Sequence, residues 1–257
     1  MNILFVGDVF GKPGRDALLE WLPGFREERA VDFVIANGEN AANGAGITSK
    51  LALRLLGGGV DVLTTGNHVW RQREVYSLLA TDDRIVRPAN YPEGAPGRGL
   101  TVRPAADGSE VAVINLAGQL YLGTGLSPFR MVDRLVEEAA GLAETIVVDL
   151  HAEATSEKVA MGHYLDGRVT AVLGTHTHVQ TSDARVLPGG TAYMTDVGMT
   201  GPLDSVIGVR KDIILQRFLT ELPQQFEVGD GPVRLNAALI ASSGGRATTI
   251  EALEVVL

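Results

Sequence analysis

The sequence predicts an α/β fold built on parallel strands, from three observations. Short continuous apolar runs alternate with helical stretches from the first residues through Leu79. Each run is closed by Gly, Asp, Asn or His. Four of the five histidines stand in such closing segments, and in an open α/β sheet those segments gather at one edge, where ligands bind.

Asn2-Ile3-Leu4-Phe5-Val6 is the first strand, closed by Gly7-Asp8. Pro13 and Gly14 precede a helix over Arg15 to Arg26. Phe33-Val34-Ile35-Ala36 is the second strand, followed by the polar, Gly-rich loop from Asn37 to Gly46. Ser49 is placed to cap a helix over Lys50 to Leu56. Val60 to Thr65 is the third strand and runs into Gly66-Asn67-His68; a helix near Arg71 to Leu79 follows. Arg87 to Gly99 reads as loop, and Leu100–Val102 and Val111–Ile114 flank a hairpin turn at Ala106-Asp107-Gly108-Ser109. Met131 to Leu142 is helical, and Thr145 to Asp149 is a strand leading to His151. Thr155 or Ser156 caps the next helix, with Glu157 near its positive end. Thr170 to Leu173 leads into Gly174-Thr175-His176-Thr177-His178, and beyond a helix over Lys211 to Leu219 the chain is β-rich. With no repeat and no linker, residues 1–257 are expected to form a single domain.

A net charge of −9 disfavours a general binder of duplex nucleic acid, which needs many cations on phosphates. The absence of cysteine excludes disulfides, thiolate zinc sites, iron–sulfur clusters and thiol nucleophiles, so any metal takes oxygen and nitrogen ligands. No leader with a charged start and cleavage site precedes the first strand, and no apolar run reaches the ~18 residues of a membrane span. The expectation is a soluble cytoplasmic protein without a membrane partner. Self-association is left open.

The closing segments carry the chemistry. In an extended segment His176 and His178 would point to one side, so both would reach a common metal. Asp8 either binds metal or caps a helix, and Glu39, between Gly38 and Asn40, either binds metal or serves a turn. His151 has Glu153 nearby to orient its ring. Two divalent cations against the carboxylates Asp8 and Glu39 leave a positive centre that suits a phosphodiester monoanion. His68, tethered by Asn67, is placed to protonate a leaving alkoxide. His163 lies inside a helix and is read as surface or packing. Asp196 either touches the site or caps a turn; Phe10, Gly44, Met194, Thr195, Met199 and Thr200 are named as pocket neighbours only by proximity to these motifs.

Together, Asp8, Glu39, Gly66-Asn67-His68, His151 and Gly174-x-His176-x-His178 resemble the calcineurin-like metallophosphoesterase superfamily. Two departures mark a subgroup: Phe10 stands where the general pattern has a histidine, and Gly38-Glu39-Asn40-Ala41 replaces the usual aspartate motif. With Gly7 to Arg15 and His151 to Lys158, they resemble the bacterial YmdB-like family. That resemblance implies a layered α-β-β-α sandwich with a dinuclear metal site at the strand C-terminal ends. It implies a metal-dependent hydrolase of cyclic nucleotides, 2',3'-cyclic ones included and 3',5' ones as a further candidate, using iron or manganese, with zinc also compatible. By the same resemblance Asp8, Glu39, Asn40 and His178 hold one metal, and Glu39, Asn67, His151 and His176 the other; a bridging hydroxide attacks and His68 is the acid. A Rossmann site is excluded because Gly7, Gly11 and Gly14 have the wrong spacing, and a P-loop because Pro13 follows Lys12. The rival reading is a metal-binding regulatory protein on the same scaffold with little catalysis.

Overall fold

The structure is a computed structural model that describes residues 1–123 and 125–257. Its first half runs β1 (Asn2–Val6), β2 (Asp8–Val9), α1 (Gly11–Glu28), β3 (Phe33–Asn37), α2 (Ser49–Gly57), β4 (Val62–Thr64) and α3 (Val75–Thr81). The hairpin β5 (Leu100–Pro104) and β6 (Glu110–Ala117) follows, then α4 (Pro128–Ala140), β7 (Thr145–His151), α5 (Thr155–Leu165) and β8 (Ala171–Thr175). The remainder is β9 (Arg185–Val186), β10 (Ala192–Met194), β11 (Met199–Val209), α6 (Lys211–Thr220), β12 (Val228–Ser243) and β13 (Arg246–Val256).

The strands form two sheets. One has the order β2-β11-β12-β1-β3-β4, with β13 also paired to β12; the other has the order β5-β6-β7-β8-β10-β9. The expected parallel core is present, as β1, β3 and β4 pair in parallel and so do β6, β7, β8 and β10. The C-terminal region is β-rich as expected, but the sequence does not show its pairing: β12 lies antiparallel against β1 and makes the first sheet mixed.

Period-two alternation assigns each strand residue to a layer. Ile3 and Phe5 of β1 and Phe33 and Ile35 of β3 meet Val111, Val113, Val147 and Leu173 of the second sheet in one apolar layer. Leu4, Val6 and Val34 face the other way, onto Leu18 and Leu22 of α1 and Leu55 of α2. Ile114, Val148 and Val172 likewise face Val132 and Leu135 of α4 and Met161 and Leu165 of α5. The order is therefore helices, sheet, sheet, helices. Each large aliphatic or aromatic side chain buried this way contributes roughly 1.5–3 kcal/mol. Among the described residues no helix is long and apolar enough to cross a membrane.

Helix ends differ from the sequence reading. The first helix starts at Gly11, not Arg15, because Pro13 falls in its first turn, where no backbone N–H is required. Thr48, not Ser49, caps α2, accepting a hydrogen bond from Leu51 N at 3.2 Å. Neither Thr155 nor Ser156 caps α5; the cap position is Ala154, and the Glu157 carboxylate instead accepts hydrogen bonds from the backbone N–H of Gln119 and Leu120.

Candidate metal centre

Strand geometry brings the closing segments to one place. Asp8 begins β2, Glu39 and Asn40 follow β3, Asn67 and His68 follow β4, His151 ends β7, and His176 and His178 follow β8. Asp8, Glu39, Asn40 and His151 are at most 1 % exposed. All eight residues expected at the site lie in one connected network. Glu39 is its centre: its Oε1 is 2.9 Å from His151 Nε2 and 3.6 Å from His68 Nδ1, and its Oε2 accepts from His68 N at 3.0 Å. Asn67 Oδ1 is 3.0 Å from His151 Nε2, and His176 Nδ1 is 3.0 Å from the same nitrogen. On the other side, Asp8 Oδ1 is 3.6 Å from His178 Nε2, and Asp8 Oδ2 accepts from His176 N at 3.1 Å. Asn40 joins the two sides, its Nδ2 lying 3.4 Å from both Asp8 and Glu39 and 3.1 Å from His178 Nε2. Its Oδ1 faces His68 Nδ1 at 3.0 Å, so metal ligation by Asn40 requires the opposite amide orientation.

Each of three histidines is anchored at one ring nitrogen, which turns the other inward. The Ile207 carbonyl can only accept, so His178 Nδ1 carries hydrogen and donates to it at 2.9 Å. His176 Nε2 donates to Glu153 Oε2 at 3.0 Å. The Thr175 hydroxyl donates to Asp149 at 2.7 Å and so accepts from His151 Nδ1 at 2.9 Å. The inward nitrogens are then His178 Nε2, His176 Nδ1 and His151 Nε2. Glu153 thus serves His176, not His151 as its sequence position suggests.

These residues fit a metal. Among the described residues, Glu39, His151 and His176 present ligand atoms that all lie within 4.8 Å of one another. His151 Nε2 meets three lone-pair-bearing atoms within about 3 Å, and one proton satisfies only one of them; a cation satisfies all. The local field also favours positive charge. Burial opposes ionisation of His151, but the charge and hydrogen bond of Glu39 push it up to about 9. Burial raises the Asp8 carboxyl, yet His178 holds it well below the usual carboxylate range. Glu39, also raised by burial, is brought below its usual value by His151. Burial and the neighbouring His151 charge push His176 down to about 3, and burial is the largest reason that His68 is lowered. The donor set, carboxylate, amide oxygen and imidazole, suits iron, manganese or zinc.

Room for this packing comes from missing side chains and unusual backbone. A Cβ at Gly66 would collide with the His151 ring and the Glu39 carboxylate. His176 and His178 are not in an extended segment: their φ values are +103° and +65°, in the left-handed region. Such strain persists only where surroundings enforce it. Here the enforcement is a buried ion pair. Lys158 on α5 donates to Asp196 at 2.6 Å and to the Thr175 carbonyl at 2.8 Å; Asp196 accepts from both N and Oγ1 of Thr177, between the two histidines. Asp196 therefore braces the site. Lys158 is not singled out by the sequence reading, although it shares a helical stripe with the buried Met161 and Leu165. Asn37, Asp149 and Thr175 are further additions, because nothing in a strand's sequence marks a polar residue as the partner of a distant histidine; burial raises Asp149 to about 6. His163 is exposed on α5, apart from the group.

Phe10 is held edge-to-face against His178 with centroids 5.7 Å apart. Phe10 packs on three glycines: its ring lies on Gly44 and Gly208, where a Cβ would come within 2.6 or 2.7 Å of ring atoms, and its Cβ lies on Gly201, where one would come within 3.0 Å. Of the other pocket neighbours suggested by sequence, Met194 sits in the layer between the sheets, Thr195 is tied to Asp183 and Thr200 is buried; Met199 lines a cleft beside His178.

The sequence profile described as YmdB-like protein matches residues 4–253. The chain is 50 % identical over 240 residues to a Bacillus subtilis (strain 168) protein named 2',3'-cyclic-nucleotide 2'-phosphodiesterase, covering 93 % of this chain and 90 % of the relative. The crystal structure of a hypothetical protein from Thermus thermophilus superposes with a TM-score of 0.94 at 45 % identity, covering 100 % of this chain and 99 % of that one. That of a novel phosphatase from Mycoplasma pneumoniae does so with a TM-score of 0.93 at 33 % identity, covering 100 % and 93 %. On a match that runs through both sheets and every segment of the site, the chain belongs to the YmdB-like protein family.

Proposed function

We propose that the chain is a dinuclear-metal phosphodiesterase acting on small phosphodiesters, cyclic nucleotides of the 2',3' type first and the 3',5' type as a second candidate, and that residues 1–257 work as one catalytic domain. The observation that carries this reading is the gathering of the buried Glu39 carboxylate with His151 and His176, whose ligand atoms all lie within 4.8 Å of one another, beside Asp8 and the inward His178 Nε2, each ring held from behind by an oxygen acceptor. The relative named as a cyclic-nucleotide phosphodiesterase supports the substrate class.

Asp8, Glu39, Asn40 and His178 would hold one cation, and Glu39, Asn67, His151 and His176 the other; iron or manganese is the proposed metal. Bound divalent cations supply Lewis acidity to phosphoryl oxygens and lower the pKa of coordinated water. The chain's own work is to position and to move a proton. Glu39 is the shared carboxylate. Glu153, Thr175 and Ile207 fix the ring tautomers of the three ligand histidines. His68, half-buried and held through its backbone N–H by Glu39, is the proposed acid that protonates the leaving alkoxide.

Turnover of bis-p-nitrophenyl phosphate and of 2',3'-cyclic AMP by protein loaded with Mn²⁺ or Fe²⁺, beside elemental analysis, tests this. Two metals per chain and turnover well above a His68→Ala control are expected. Metal binding with no turnover above that control would leave a metal-binding regulatory protein on this scaffold.

A further inference from the structure

A cleft of about 320 Å³ lies on the side of His178 turned away from Asp8. Its size falls at the lower end of small-ligand sites. Its walls are aliphatic: Val179, Leu203, Val206 and Ile207 line it, and Val179, Leu203 and Ile207 are 60 %, 37 % and 51 % exposed. Arg234 and Asn236, on the face of β12 that looks toward the second sheet, add a polar side. Asn236 is 1 % exposed, yet its amide nitrogen has no hydrogen-bond partner among the described residues. Leaving such a donor unmet costs free energy, and a ligand acceptor would recover it.

Charge in the cleft argues against a second phosphate. Arg234 is the lining cation, and Glu254 lies 3.5 Å from its Nε, so the pair offers little net charge to an anion. A guanidinium beside aliphatic walls suits the face of a flat, neutral ring. The cleft also adjoins the metal centre directly, because His178 belongs to both: its Nε2 faces Asp8 while its Nδ1 is held by Ile207, a cleft residue. Ile207 has φ +46°, a conformation rare for a β-branched side chain, and it places the carbonyl on His178 and the side chain at the cleft.

We propose that this cleft is a nucleobase subsite, receiving the base of a cyclic nucleotide whose phosphate lies at the metal centre; this rests on the phosphodiesterase reading above. Arg234 stacks on or donates to the ring, Asn236 donates to a ring acceptor, and Leu203 and Val206 cover its apolar face. Arg234 and Leu203 are thus specificity residues. The ratio of kcat/KM for 2',3'-cyclic AMP to kcat/KM for bis-p-nitrophenyl phosphate reads the subsite, because the second substrate has no base. Leu203 is exposed and Arg234 half-buried at the cleft rim, so both Arg234→Met and Leu203→Asp should fold. In each, the ratio should fall by about tenfold, the scale of one base-stacking contact, chiefly through KM for the nucleotide. Proportional loss on both substrates would overturn the proposal. Adenosine binding, followed by saturation-transfer NMR on wild type and Arg234→Met protein, separates this proposal from the one it rests on. Binding weakened by the substitution supports the cleft even if no turnover is seen, and wild-type protein that binds no adenosine at millimolar concentration refutes it.

Discussion

One methyl group at position 66 is enough to disturb the site. The backbone of Gly66 is not in the left-handed region, so alanine is conformationally allowed there, but its Cβ would occupy the space of the His151 ring and the Glu39 carboxylate. Gly66→Ala should therefore lower bound metal, measured by elemental analysis, without unfolding the chain. His68→Ala should slow turnover by ~10²–10⁴ with metal retained. If metal is lost instead, His68 is a ligand. At this scale the sequence is informative wherever a polar residue follows an apolar run, because strand ends share an edge. It is uninformative about partners across the fold. Proximity in sequence pairs Glu153 with His151, whereas the fold gives it to His176, and alternation alone cannot show the left-handed backbone at His176 and His178.

Elements are joined by polar contacts whose loss is measurable. Lys158 and Asp196 are each 1 % exposed at the side chain, and Lys158→Met would strand a buried carboxylate. A loss of about 3–5 kcal/mol in chemical denaturation is expected, the usual cost of breaking a buried pair from one side. Asp61, which accepts from Val34 N at 2.8 Å just before β4, is raised by burial. Its folded form binds a proton more tightly than the unfolded chain does, so its contribution is largest at low pH and is lost as pH rises through the folded pKa. Asp61→Asn should flatten the fall in stability above the ordinary aspartate value of 3.8, and an unchanged slope would mean that other carboxylates set it. Strand positions are readable from apolar runs, whereas helix starts are not: Pro13 and Thr48 belong to first-turn chemistry that local composition alone misplaces.

For the whole molecule, the site spans the two sheets. Asp8, Glu39, Asn40 and Asn67 come from the first, and His151, His176 and His178 from the second. A ligand that binds only the folded chain raises its stability by mass action. Stripping metal with a chelator should accordingly lower Tm, and adding Mn²⁺ back should restore it; an unmoved Tm would separate metal binding from folding. Layer order comes only through the family resemblance of the motifs, whereas the parallel strands are legible in the residue pattern. The placement of β12 beside β1 is not, because pairing across more than two hundred residues leaves no local pattern.

The slot around Phe10 bears on how such a site changes over generations. Two glycines lie against the aromatic ring and a third against its Cβ, so a histidine at position 10 would meet an apolar socket shaped for something larger. Reverting that residue alone should not recover a further ligand. Across homologues, lineages with histidine at position 10 should carry a side chain at position 201, whose backbone is not left-handed, while positions 44 and 208, at φ +82° and +102°, should stay glycine. Positions 10 and 201 are then expected to co-vary as a pair, with a single exchange at either one disfavoured.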